Sequence, residues 1–255
     1  MDFGAYPMHI GHHRIILDTI HSTQDFAAAM LKDEPDLHGI LVQAHHQTHG
    51  RGRWDKKWSS EPGLNFTGSF ILQLPVTINR KNHFLVSMVA SLAVRSALQN
   101  LVDKVVLIKW PNDIIINYQK IAGILTQYQW QGDRPVTAIV GIGININQVN
   151  FDNVLTEASS IKKVMNMDFD FNLIINTLLS EWNILYKSLI NERYHSLISL
   201  YQEALYGFGK EISFLKADIL QKGILREVLP DGRLCIQVDL AHHLFDIDQI
   251  KIVYI

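Results

Sequence analysis

The sequence has one cysteine, Cys235, among 255 residues. That excludes an intrachain disulfide framework and any cysteine-rich zinc site, and it suits a reducing cytoplasm. Long apolar runs are missing: no stretch approaches the ~18 residues of a membrane-spanning helix, and residues 1–13 lack the basic-then-apolar order of a secretory signal. Neither charge dominates, because 23 Lys and Arg stand against 25 Asp and Glu for a formal net charge of -2. A dedicated nucleic-acid binder would usually be basic over a whole domain, so cationic sites here are expected to be local. There is no G-x-x-x-x-G-K-[ST] phosphate loop and no G-x-S-x-G nucleophile elbow. The composition, 47% hydrophobic and 19% charged, is that of a soluble cytoplasmic globular protein with one sizeable domain and a small one.

The hydrophobic pattern predicts an α/β fold with a mixed sheet and no regular βαβ rhythm. Arg14 to Ile20 reads as a strand, and Ser22 with Asp25 three residues on opens a helix in a near capping-box arrangement. Gly39 to Gln43 reads as a strand, and Leu64, Phe66, Phe70 and Leu72 share one face of the next. His83 to Leu101 is apolar around most of its circumference and is predicted to be a buried helix. Val105 to Lys109, Ile114 to Asn117, Lys120 to Gln129 and Val136 to Ile146 are rich in β-branched residues. Tyr118-Gln119 and Gly132-Asp133 are short enough to join hairpins. Helices are expected over Asn172 to Leu189 and Glu192 to Leu205. Beyond Gly207 only short strands and a Pro230-Asp231-Gly232 turn remain, which suggests a small β-barrel. The domains are expected to be 1–206 and 207–255.

Four segments could carry chemistry. Gly50-Arg51-Gly52-Arg53 lets backbone crowd an anion that its cations neutralise, although a solvated turn or an RNA-binding patch would look similar. Trp54 and Trp58 favour a loop that covers a ligand, because indoles in a polar loop are costly in water. Lys109-Trp110-Pro111-Asn112-Asp113 ends a strand in a turn, where Asp113 could hold a metal or polarise a proton and Trp110 could wall a pocket. Lys120 opens an apolar strand with Gly123 three residues on, and reads either as an ordinary edge lysine or as a cation beside a close approach. Gly141-Ile142-Gly143-Ile144-Asn145 alternates strictly, with isoleucines on one face and a bare face opposite, suited to a flat ligand or to close helix packing. It lacks the third glycine of a dinucleotide fingerprint, and no helix follows. His45-His46, His49, His12-His13 and His242-His243 cluster without a carboxylate or thiolate nearby in sequence, so no structural metal is expected.

In this order the four motifs resemble those of biotin protein ligases, from about Arg14 to the end of the chain. The resemblance implies a catalytic domain like that of class II aminoacyl-tRNA synthetases and a C-terminal SH3-like β-barrel. It implies two steps: biotin and ATP, with Mg²⁺, give biotinyl-5′-AMP, and a lysine of a biotin carboxyl carrier protein, such as a subunit of acetyl-CoA carboxylase or another biotin-dependent carboxylase, then takes the biotinyl group. By this resemblance Ser22, Thr23, Gln47, Gly50, Arg51, Arg53, Lys120 and Gly123 bind biotin. Arg51, Arg53, Lys56, Trp58, Trp110, Asn112, Lys120 and Asn145 bind the adenylate. Lys120, Arg53 and Asp113 are catalytic, with Asp113 near Mg²⁺ or the attacking lysine. A cation at Lys120 would offset repulsion between carboxylate and phosphate.

The chain departs from the family where Lys56 replaces an arginine, keeping charge without the bidentate grip, and where His49-Gly50 replaces alanine-glycine. Residues 1–13 are too few for a winged helix-turn-helix, so a ligase without DNA binding is expected, as a monomer or a homodimer. The alternatives are a lipoate or octanoate ligase or transferase of related fold, and a noncatalytic nucleotide- or nucleic-acid-binding module.

Overall fold

A computed structural model describes residues 9–54, 56–152 and 157–254. Strand β1 (His13–Ile20) leads into α1 (Thr23–Asp33), and β2 (Ile40–Gln47) and β3 (Asn65–Gln73) follow. Helix α2 (Phe84–Gln99) precedes β4 (Val106–Lys109), β5 (Asp113–Ile116), β6 (Gln119–Gln131) and β7 (Arg134–Asn145). Then come α3 (Ile161–Met165), α4 (Phe171–Ile190) and α5 (Tyr194–Glu203), and finally β8 (Glu211–Lys216), β9 (Ile219–Val228), β10 (Leu234–Val238), β11 (Ala241–Phe245) and β12 (Lys251–Val253).

The first seven strands form one sheet in the order β1-β2-β3-β7-β6-β5-β4. Only the β1–β2 pair in it is parallel, and the other neighbours are antiparallel. Alternation along β3 sorts the layers: Phe66, Phe70 and Leu72 join the large core under α2 and α4, whereas Ile71 faces α1 with Val42 and Ile139. Helix α2 has no polar face and is accordingly buried over most of its length. The β5–β6 turn is centred on Asn117 and Tyr118, both at positive φ (50° and 63°), one residue earlier than the sequence suggested. Paired positive φ values are those of a two-residue hairpin loop, which Asn tolerates. The short helix α3, capped by the Ser160 side chain, was not anticipated.

The last five strands form an antiparallel sheet ordered β11-β10-β9-β8-β12. It is clasped to the first by Trp110, whose indole N–H donates to Gly232 O at 3.1 Å, and by Phe84 N, which donates to Pro230 O at 3.1 Å. Gly232 sits at φ 99°, so the turn that receives Trp110 needs a residue without a Cβ. Cys235 is a buried free thiol.

Buried His38 joins the start of β2 to the end of β3, its Nδ1 accepting from Gln73 N at 2.9 Å. Burial, and then the neighbouring His12, push its pKa down to about 4. A histidine kept neutral by the fold contributes stability above its unfolded pKa of about 6.5, and that contribution is lost as pH falls towards 4. The fold should therefore lose roughly 3 kcal/mol across this window through His38 alone. Thermal unfolding against pH checks this: His38→Gln, which keeps an acceptor but does not titrate, should melt with a flatter acid slope. An identical slope in both proteins would contradict it.

Candidate active site

A cleft of about 1010 Å³ opens on the α1 side of the large sheet, beyond the end of α1. Its floor is a row of residues paired across four strands: Gly143 of β7, Gly123 of β6, Asp113 of β5 and Lys109 of β4. Directly paired residues share a sheet face, so this row combines a bare patch with an acid and a cation. The bare face expected at Gly141 and Gly143 is thus present, and Gly123 extends it.

Lys120 reaches the same face by an irregular route. Strict alternation would put it opposite Gly123, since the two lie three residues apart. The β5–β6 register slips between Ile114 and Ile115, and this bulge turns Lys120 over. Its ammonium lies 2.6 Å from Asp113 Oδ1, both side chains about one quarter to one third exposed (32% and 25%). A cation and its counter-ion are therefore held together at the edge of the glycine floor.

The floor is covered by the indole of Trp58. A Cβ on Gly143 would overlap that ring, and one on Gly123 would stand 3.1 Å from Trp58 Cζ3. Trp58 is only partly buried, so covering the floor gains less than the roughly 1.5–3 kcal/mol of a fully buried large side chain. The Trp58 indole N–H, however, is buried with no hydrogen-bond partner among the described residues, which costs roughly 1–3 kcal/mol. The unpaired N–H therefore offsets much of what the ring gains on the floor, and Trp58 is weakly held there.

Trp58 is delivered by a loop that folds back on itself. Trp58 N donates to Gly50 O at 2.8 Å and Gly52 N to Lys56 O at 2.7 Å, closing a narrow hairpin. A Cβ on Gly50 would lie 2.5 Å from Trp58 O. Gly50, expected to crowd a ligand, lets the loop close, and it is not among the residues lining the cleft. The cations beside it do line it. Arg51 pairs with Asp25 in the first turn of α1 at 2.6 Å, with both side chains about half exposed. Arg53 donates to Asn112 Oδ1 at 3.4 Å, and burial lowers its pKa while Asp113 and Asp248 oppose the shift. Lys56 also lines the cleft, whereas Asp55 lies outside the described residues.

The end of the cleft nearest α1 is polar. Ser22 caps the helix, its hydroxyl accepting from Asp25 N at 3.3 Å. Thr23 N and Oγ1 donate to Gln47 Oε1 at 2.8 and 3.1 Å. Trp110 and Asn112 line the opposite part, Asn112 pinned by donating to Ile124 O at 2.9 Å. Asn145, expected beside a nucleotide, does not line the cleft: it is buried and donates to Ser159 O at 2.9 Å. Through this contact it tethers the segment before α3.

Sequence reasoning missed the far wall. Lys109 is buried, pairs with Glu157 at 3.0 Å and lies 4.0 Å from the ring centre of Tyr254. Asp248 and Lys251 reach the cleft from the C-terminal sheet. Lys109 lay inside a motif already singled out, but Asp248 and Lys251 gave no local signal. For the metal expected at Asp113 there is no built centre: its carboxylate faces Lys120, and no group of three His, Cys, Asp or Glu side chains among the described residues could hold an ion. His49 meets His21, with Nδ1 atoms 2.8 Å apart.

The sequence matches the Biotin/lipoate A/B protein ligase family over residues 16–145, just over half the chain. The bifunctional ligase/repressor BirA of Bacillus subtilis is 31% identical over 210 residues, 81% of this chain and 64% of that protein. The biotin--[acetyl-CoA-carboxylase] ligase of Mycobacterium tuberculosis is 28% identical over 80% of this chain and 75% of its own length. The chain thus spans just under two thirds of the length of the BirA relative. In fold, the biotin protein ligase of Aquifex aeolicus, solved with biotin and ATP, superposes with a TM-score of 0.78 at 24% identity, covering 95% of this chain and 99% of that one. The same segment that builds the glycine floor carries the family match, and the protein belongs to the biotin/lipoate A/B protein ligase family.

Proposed function

We propose that this chain is a biotin protein ligase. A biotin carboxylate oxygen bonds to the α-phosphorus of ATP as the bond to pyrophosphate breaks, giving biotinyl-5′-AMP. The amine of a carrier-protein lysine then bonds to the acyl carbon, and AMP leaves. The observation that carries this reading is the Lys120 ammonium, poised 2.6 Å from Asp113 above a floor of glycines. Two anions must meet in the first step, and a preorganised cation offsets their repulsion and the charge that develops on phosphate. As Lys120 turns to those anions, Asp113 is released and can take the proton of the incoming carrier lysine.

Ser22, Thr23 and Gln47 would hold the head of biotin at the α1 end, and Trp58 would exchange the floor for a place over the ligand. Arg51, Arg53, Lys56 and Asn112 would hold the adenylate, with Trp110 as a wall. Any Mg²⁺ would arrive on the nucleotide phosphates. The relatives' names, BirA and biotin--[acetyl-CoA-carboxylase] ligase, favour biotin over lipoate and point to a biotin carboxyl carrier protein as partner. Asp248 and Lys251 fit a C-terminal domain, beginning near Tyr206 and SH3-like in type, that closes over nucleotide. Among the described residues no helix is long and apolar enough to cross a membrane.

Pyrophosphate release that requires both biotin and ATP tests the reading. Equal release with lipoate or octanoate in place of biotin, or none with biotin, would overturn it. Lys120→Ala should slow that release about a hundredfold, the worth of one charge-stabilising donor, while thermal stability stays close to wild type. Unchanged release would remove Lys120 from the chemistry. Arg53→Gly should retain biotinyl-5′-AMP poorly, because one grip on its phosphate is gone. The escaped mixed anhydride would acylate lysines of an unrelated lysine-rich protein supplied with ATP and biotin. Equal labelling by variant and parent would show that Arg53 does not hold the intermediate.

A further inference from the structure

Beneath the polar end of the cleft runs a chain of buried hydrogen bonds through two residues with no role so far, Gln24 of α1 and Ser69 of β3. Gln24, Ser69 and Thr23 are each at most 3% exposed. Gln24 Nε2 donates to Ile139 O at 3.0 Å, and Ser69 Oγ donates to Gln24 Oε1 at 2.9 Å. Ser69 Oγ in turn lies 2.9 Å from Thr23 Oγ1. Gln24 can reach β7 because Gly141 has no side chain: a Cβ there would stand 2.7 Å from Gln24 Oε1.

The direction of each hydrogen bond follows from the one fixed end. A backbone carbonyl only accepts, so the Ile139 contact must be the Gln24 amide nitrogen, and Gln24 Oε1 must accept. Ser69 has one proton and gives it to Gln24, so towards Thr23 it can only accept. The Thr23 hydroxyl proton is therefore directed into the protein, to Ser69 or to Gln47 Oε1, and an oxygen lone pair is left for the cleft. Gln47 Oε1 already receives the Thr23 backbone N–H at 2.8 Å, so the free end of Gln47 is its NH₂ donor. An acceptor and a donor then stand side by side, the complement of an N–H next to a C=O, which is the edge of a cyclic urea.

We infer that Gln24, acting through Ser69, is a positioning residue that holds the Thr23 hydroxyl as an acceptor for a urea N–H, and so sets specificity for the ureido head of the substrate. This rests on the biotin reading above. Without Gln24 the Ser69 proton is released and can turn to Thr23 Oγ1, where it competes with the substrate.

The test is the Kd for biotin of the full-length protein and its variants, with the KM for ATP measured alongside. Gln24→Leu should weaken biotin binding roughly tenfold, the worth of about one buried hydrogen bond, and leave the KM for ATP unchanged. Adding Ser69→Ala to Gln24→Leu removes the competing proton and should restore most of the lost affinity. A role in packing alone predicts that the second substitution worsens the first, and that result would overturn the inference. On the unaltered protein, 2-iminobiotin, which places a donor where biotin has its carbonyl, should bind at least about tenfold more weakly. Equal binding of the two ligands would overturn the donor and acceptor assignment even if the variants fail to fold. If the wild type bound no biotin at all, the proposed function would fail. If it bound biotin and Gln24→Leu bound it equally well, only this inference would fail.

Discussion

The site depends on side chains that are missing. Gly123, Gly141 and Gly143 strip one face of the central strands, and what surrounds the cleft is arranged about that gap. Trp58 can lie against the backbone of β7 only because Gly143 has no Cβ. Gln24 can cross to β7 only because Gly141 has none. Lys120, turned over by the β-bulge, stands beside Gly123 with its Nζ 3.3 Å from where a Cβ would be. The opposite face of the same strands, Ile142 and Ile144, remains buried in the large core, so the gap costs the fold little.

The walls come from distant parts of the chain, each held by a few directed contacts. The capped start of α1 and the end of β2 meet through Thr23 and Gln47. The Trp110 indole and Gly232 bind the C-terminal sheet to the turn that carries Asn112 and Asp113. The pairing of Lys109 with Glu157 and the Tyr254 ring fixes the far side. Within this rigid frame the glycine-arginine hairpin is the element best suited to move. Arg51 is half exposed, and the Trp58 indole that the hairpin brings to the floor buries an N–H without a hydrogen-bond partner among the described residues. Local opening draws on elements with such weak balances.

Alternation and capping made much of this legible in advance. The shared face of Phe66, Phe70 and Leu72, the Ser22 cap and the bare face of β7 all follow from periods of 2 and 3.6 residues. Lys120 was singled out by its company, whereas its true orientation depends on a bulge that no periodicity reveals. At Gly50 the structure shows close approach to the Trp58 carbonyl, which the sequence did not suggest, because a glycine that admits an anion and one that admits a neighbouring carbonyl look alike in sequence. The hydrogen bond from the Asn145 amide to Ser159 was not legible, because that partner is set by tertiary packing. Gln24 and Ser69 passed as ordinary polar residues, and Asp248 and Lys251 lie more than a hundred residues from the motifs they face.

The most direct test of this account is Gly143→Ala, read by biotin and ATP affinity together with thermal stability. A single methyl on the floor should dislodge Trp58 and raise the Kd for biotin at least about tenfold, while the isoleucine face keeps the melting temperature near that of the wild type. Wild-type affinity for biotin, with the Trp58 ring still against β7 in a crystal structure of the variant, would contradict the claim that the bare floor is what this site is built on.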